Sequence, residues 1–215
     1  VLTPFLLIAF PTAEAVAIVA IPHAMATAVR WYRLRHDVHL PTFKQFGIAS
    51  ALGGLVGAAL QPLLASDLLS VVLAVLLLSA GVSQLRGRPL PFPATRIWRI
   101  LGGALSGAFG GLVGNQGGLR AAALLGFDLD ARALVATATA SALFVDAARV
   151  PIYVVMRGGV LASTVPYWVA GSVGVVVGTL IGVPILGRIP QPIYRKLIAI
   201  LLIALALVLV ASTLH

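Results

Sequence analysis

Asp146 and Arg149 stand three residues apart inside an otherwise apolar run from about Ala131 to Val155. At that spacing they share one face of a helix. An ionisable side chain in a hydrophobic span is costly and marks function unless a partner offsets it. Two chemistries are open: Arg149 attracts an anion while Asp146 orients it or carries a coupling proton, or the two form an internal ion pair that fixes packing. Pro151 follows closely and lacks an amide hydrogen, so it is expected to open a carbonyl toward the site. Thr137 and Ser141 share another helical face, with Thr139 elsewhere. Their hydroxyls could meet the oxygens of an anion, or close helix contacts and bond back to the preceding turn. His23, directly after Pro22, is either a proton relay or an interhelical hydrogen-bond partner, and Glu14 opens a helix whose dipole favours an acid.

A second group is backbone chemistry. Gly102, Gly103, Gly107, Gly110, Gly111, Gly114, Gly117 and Gly118 follow in close succession, many of them four apart. Such a face lets another helix approach closely. Asn115-Gln116-Gly117-Gly118 interrupts the apolar stretch, and paired glycines beside polar amides break a helix. The freed amides, with the positive end of a half-helix beginning near Leu119, make an anion site. Arg120 lies in the first turn of that half-helix, as an anion ligand or as a snorkelling anchor.

The elements that must hold these groups are membrane helices. The chain has 215 residues, 60% hydrophobic and 10% charged, with a mean hydropathy of +1.06. A soluble domain carries about 25% charged residues, and several apolar runs reach about 20 residues, the length of a bilayer crossing. The runs do not alternate as barrel strands do. The expected class is an all-α membrane protein, a bundle of about 6–7 transmembrane helices. Fifteen Lys and Arg against six Asp and Glu give a formal charge of +9. The basic residues sit in short loops, which points to cytoplasmic anchoring in a multi-pass cell-membrane protein rather than to nucleic acid. With no cysteine, thiol catalysis and Cys-ligated metal are excluded. No His, Asp or Glu spacing matches a metal site, and Gly110 to Gly118 lacks the Lys-Ser/Thr of a phosphate-binding loop. Ser106 with His23 does not make a protease motif, because the context is Ala-Leu-Ser-Gly. The expectation is no enzyme, cofactor or metal; the partners are the lipid bilayer and a small anion, with a homo-oligomer left open.

Spans are expected at about 12–31, 43–64 and 68–85, in two pieces over 97–127, then at 131–155, 164–186 and 194–214, with a turn at Gly158-Gly159. The chain divides into a first repeat at 1–85, a cytoplasmic Pro/Arg linker at 86–96 and a second repeat at 97–215. A constant offset lays Leu6-Leu7 on Leu124-Leu125, Ala13 on Ala131 and Ala24 on Ala142. A slightly larger offset lays Gly53-x-x-x-Gly57 on Gly174-x-x-x-Gly178. These glycine pairs are expected to pack helices. On this alignment the partner of Gly103 to Gly118 would precede Val1, so the first repeat is expected to be incomplete. If the broken segment re-enters and leaves on the same side, the basic residues stay cytoplasmic and the repeats are inverted, an arrangement of secondary transporters. If it crosses fully, the repeats are parallel. The count of basic loops favours re-entry.

Gly110-Gly-x-x-Gly-Asn-Gln-Gly-Gly-Leu-Arg120, the Ala-Leu-Leu-Gly-Phe127 that follows, and the span ending Asp146-Ala-Ala-Arg149-Val-Pro151-Ile-Tyr153 resemble the sulfite exporter TauE/SafE family. The Gly171 to Gly182 ladder is similar too, and Thr3-Pro4-Phe5-Leu6-Leu7 looks like the segment just after the family's first glycine-rich break. The resemblance implies a polytopic transporter that exports sulfite, sulfonates or related small anions, with no ATPase domain; the alternative is a non-transporting membrane scaffold or channel subunit.

Overall fold

The computed structural model describes residues 6, 9–64, 66–86, 95–114, 117–124, 127, 129–186 and 191–213. Among them there is no strand. The helices are α1 (Thr12–Leu34), α2 (Leu40–Leu63), α3 (Ser66–Arg86), α4 (Arg96–Val113), α5 (Gly117–Leu124), α6 (Ala131–Ser163), α7 (Val165–Leu186) and α8 (Gln191–Thr213). Spans Thr12–Asp37, Leu40–Leu63 and Arg132–Ser163 are long and apolar enough to cross a membrane, and shorter apolar stretches lie at Asp67–Ser83, Val165–Gly178 and Ala199–Val208. Pro4, Asn115, Gln116 and most of the 86–96 linker lie outside the described residues.

Local chemistry explains the helix starts. His39 caps α2: its Nδ1 accepts from the Thr42 amide at 3.4 Å and pairs with the Thr42 hydroxyl at 2.8 Å. Asp130 caps α6 by accepting from the amides of Arg132 and Ala133, each at 2.8 Å. Both caps satisfy amides that have no partner within the helix. The Asp37 carboxylate meets Arg132 at 2.9 Å, tying the α1–α2 connection to the start of α6.

The tightest packing is between α2 and α4. A Cβ on Gly53 or Gly57 would fall on the backbone of Ala104 or Ala108, and one on Gly103, Gly107 or Gly111 would fall on the backbone of Phe46, Ser50 or Gly54. Two glycine ridges therefore interlock until backbone meets backbone, as expected where no hydrophobic force drives helices together in lipid. Gly174 and Gly178 behave otherwise. A Cβ on either would meet nothing within 4 Å among the described residues. The same residue type at related positions needs a neighbouring backbone to become a contact.

A further expectation shifts. The break expected at Gly158-Gly159 falls one residue earlier, as a kink at the non-helical Arg157 (φ −131°, ψ 26°), after which helix resumes to Ser163. Pro151 lies on an exposed face of α6, as does Ala147, whose carbonyl the proline leaves free.

The glycine-rich stretch breaks at Gly114, which ends α4 in the left-handed region (φ 70°). The chain then doubles back. Ala123 of α5 lies against Gly102, and the Arg99 guanidinium sits 4.5 Å from the Phe127 ring centroid. A continuous helix would carry residue 123 roughly 30 Å from residue 102. α4 and α5 thus form a hairpin whose ends lie together, the geometry of a segment that re-enters.

Candidate functional site

The site is built on the last turn of α4. A helix ends with four carbonyls lacking intrahelical partners and a partial negative charge. Gly110 still accepts from the Gly114 amide at 3.1 Å. The Gly110 carbonyl also accepts from Arg149 Nη1, and the Gly111 carbonyl accepts from the Tyr153 hydroxyl. Arg149 and Tyr153 are four apart on α6 and so act from one face. The guanidinium sits beside the break itself, with Nη1 3.7 Å from where a Gly114 Cβ would stand.

Arg149 is in turn held by Asp146. Its Nε donates to Oδ1 at 2.9 Å and its Nη2 to the same oxygen at 2.7 Å. Arg149 is 1% exposed and Asp146 0%. The second carboxylate oxygen faces α1, where His23 Nδ1 lies at 2.7 Å, with Thr27 Oγ1 3.5 Å from the same nitrogen. The His23 side chain is 39% exposed. An unbroken chain of contacts therefore runs from an accessible imidazole through a buried carboxylate and guanidinium to the carbonyl end of a broken helix. His23 satisfies the expectation of an interhelical hydrogen bond, and its accessible ring could also pass a proton to Asp146.

Arg120, on the returning helix α5, is 6% exposed and within electrostatic range of Asp146 and Arg149. Gly117 and Gly118 open α5, and a Cβ on Gly117 would meet nothing within 4 Å among the described residues. Two buried guanidinium groups thus flank the break, where they can attract an anion.

Thr137 and Ser141 are not part of this cluster. They precede Arg149 on α6 by roughly 18 Å and 12 Å of helix. Thr137 Oγ1 accepts from the His39 amide at 3.0 Å, and the Ser141 hydroxyl donates to the Thr137 carbonyl at 2.8 Å. Both hydroxyls serve the junction of α2 and α6. Sequence reasoning missed Tyr153 as a site residue. The signal was its position one turn after Arg149 and two after Asp146, which puts all three on one face. It could not show that the carbonyls of Gly110 and Gly111 would be their partners. Ser106 is fully buried, and its hydroxyl has no hydrogen-bond partner among the described residues, so it is not joined to His23 as a nucleophile would be. Among the described residues no group of three His, Asp or Glu side chains could hold a metal ion.

No curated protein and no solved structure matches the chain. The sulfite exporter TauE/SafE family model matches residues 1–209. With that match spanning nearly the whole helical chain, the protein belongs to the sulfite exporter TauE/SafE family, a family of integral-membrane anion transporters rather than enzymes.

Proposed function

We propose that this chain is a secondary transporter that exports sulfite, a sulfonate or a related small sulfur oxyanion across the cell membrane. The observation that carries the reading is the pair of buried guanidinium groups, Arg120 and Arg149, flanking the reversed helix at Gly114. Backbone amides at the start of α5 and the positive end of its dipole add attraction for negative charge. On this reading Asn115, Gln116, Gly117 and Gly118 present the break to the anion and Arg120 supplies charge. Arg149 divides its donors between the anion and Asp146. Thr137 and Ser141, fully buried and engaged at the α2–α6 junction, hold α6 in place rather than meet the anion.

His23 and Asp146 carry the coupling proton in this scheme. A proton arriving at the accessible imidazole and passed to Asp146 would loosen the carboxylate's hold on Arg149. That would free a guanidinium for the anion and link proton entry to anion occupancy. The driving force is then a proton gradient or the membrane potential. The membrane architecture proposed is about 6–7 spans in two inverted repeats, 1–85 and 97–215, joined by the linker 86–96. The α4–α5 hairpin supports inversion because it returns the chain to its starting side.

Flux in proteoliposomes tests the proposal. Sulfite, thiosulfate, sulfate and a small sulfonate are compared with empty liposomes, with Arg149→Lys beside the unsubstituted chain. Saturable flux of one sulfur oxyanion, reduced in the variant and changed by an imposed pH gradient, is expected. No flux of any of them would refute the transporter reading for sulfur anions and favour a scaffold or another solute.

A further inference from the structure

Among the described residues, one buried hydroxyl on α4 is left without a partner. Ser106 is 0% exposed, and its Oγ has no hydrogen-bond partner among the described residues. Leaving a buried hydroxyl without a partner is costly, so such groups are expected to meet a water or a ligand. Its place in the fold narrows the choice. Ser106 is one turn after Gly102 and one turn before Gly110 on α4, so these three residues share a face. Gly102 abuts Ala123 of α5, while the Gly110 carbonyl receives Arg149. Because α5 runs back along α4, the turn of α5 that contains Arg120 comes level with Ser106. Ser106 thus lies on the side of α4 whose Gly102 abuts α5, with one buried guanidinium on the returning helix and another at the hairpin's tip.

We infer that the Ser106 hydroxyl is a binding donor for an oxyanion held within the α4–α5 hairpin. This rests on the transporter reading above and adds a specificity element to the same site. Arginines attract any anion, chloride included. A neutral hydroxyl in a fixed place donates one directed hydrogen bond, which rewards an anion carrying several oxygen acceptors and gives less to a spherical halide.

The test uses the opposite signs that two roles predict. Ser106→Ala deletes an unsatisfied group, so thermal stability without ligand should stay level or rise. Oxyanion affinity should fall about ten- to a hundredfold, because a hydrogen bond to a charged group is lost. Binding is read in detergent as the stabilisation of the full chain by sulfite, sulfate, thiosulfate or chloride, and transport as KM in proteoliposomes. Ser50→Ala is the comparison, because Ser50 is also fully buried, with no hydrogen-bond partner for its hydroxyl among the described residues, but lies on α2.

The expected result is weaker oxyanion binding and a higher KM in Ser106→Ala, with chloride binding unchanged and Ser50→Ala like the unsubstituted chain. Flux that persists with an unaltered KM and unaltered binding in Ser106→Ala overturns the inference and leaves the transporter reading standing. Oxyanion binding that depends on Ser106 without any flux does the reverse. Equal losses in both serine variants, or no oxyanion stabilisation of the unsubstituted chain, would also overturn it.

Discussion

Replacing Arg149 by alanine should destabilise this protein more than most single changes. The side chain, 1% exposed, makes two contacts with the fully buried Asp146, at 2.9 and 2.7 Å, and one with the Gly110 carbonyl. Gly110 keeps the Gly114 amide at 3.1 Å, so the loss falls on Asp146. Removing one partner of a buried ion pair costs about 3–5 kcal/mol, because the remaining charge is left in a poor solvent. For a chain of this size 1 kcal/mol moves Tm by about 2–4 °C, so Arg149→Ala should lower Tm by roughly 6–20 °C in scanning fluorimetry of the detergent-solubilised protein. The double variant Asp146→Leu with Arg149→Met removes both charges and should recover most of the stability, but not anion flux. An Arg149→Ala Tm within 2 °C of the parent, or a double variant no better than the single, would refute the idea that this pair is dry and mutually dependent.

Three other outcomes follow from the packing. Gly107→Ala should lower Tm by several degrees and impair assembly, because its Cβ would strike the Ser50 backbone; Gly174→Ala, with open space at that position, should hold or slightly raise Tm. Gly114→Ala places a side chain at φ 70° and should cost about 1–2 kcal/mol, read as a Tm loss of a few degrees with a raised KM from a misplaced break. Arg132→Ala removes an ion pair in which Arg132 is 73% exposed; surface pairs contribute about 0–1 kcal/mol, so Tm should barely move and high salt should erase the difference.

Much of this protein is decided by composition and local order. A 60% hydrophobic chain with 10% charged residues must place helices in lipid, because only satisfied backbones survive there. The helix limits follow from residues whose preferences are local: Asp130 as a cap, Gly114 as the one described residue with positive φ, Asp146 and Arg149 on a shared face. Their spacing makes an internal pair available whatever the surroundings. The glycine-rich break and the family resemblance are legible for the same reason.

Contacts between distant segments could not be read that way. Whether Arg149 faces a solute or the end of another helix depends on where α4 lies, and that is set by interlocked glycines on α2 and α4. Gly53 and Gly174 are the same residue in related sequence settings, yet one meets a backbone and the other meets open space. Thr137 and Ser141 look like ligands on a helical wheel, but a His39 amide and a helix carbonyl engage them. The helices themselves were written in short-range preference and hydropathy; the partner of each buried polar group was chosen only when the packed helices brought distant backbones and side chains within hydrogen-bonding reach.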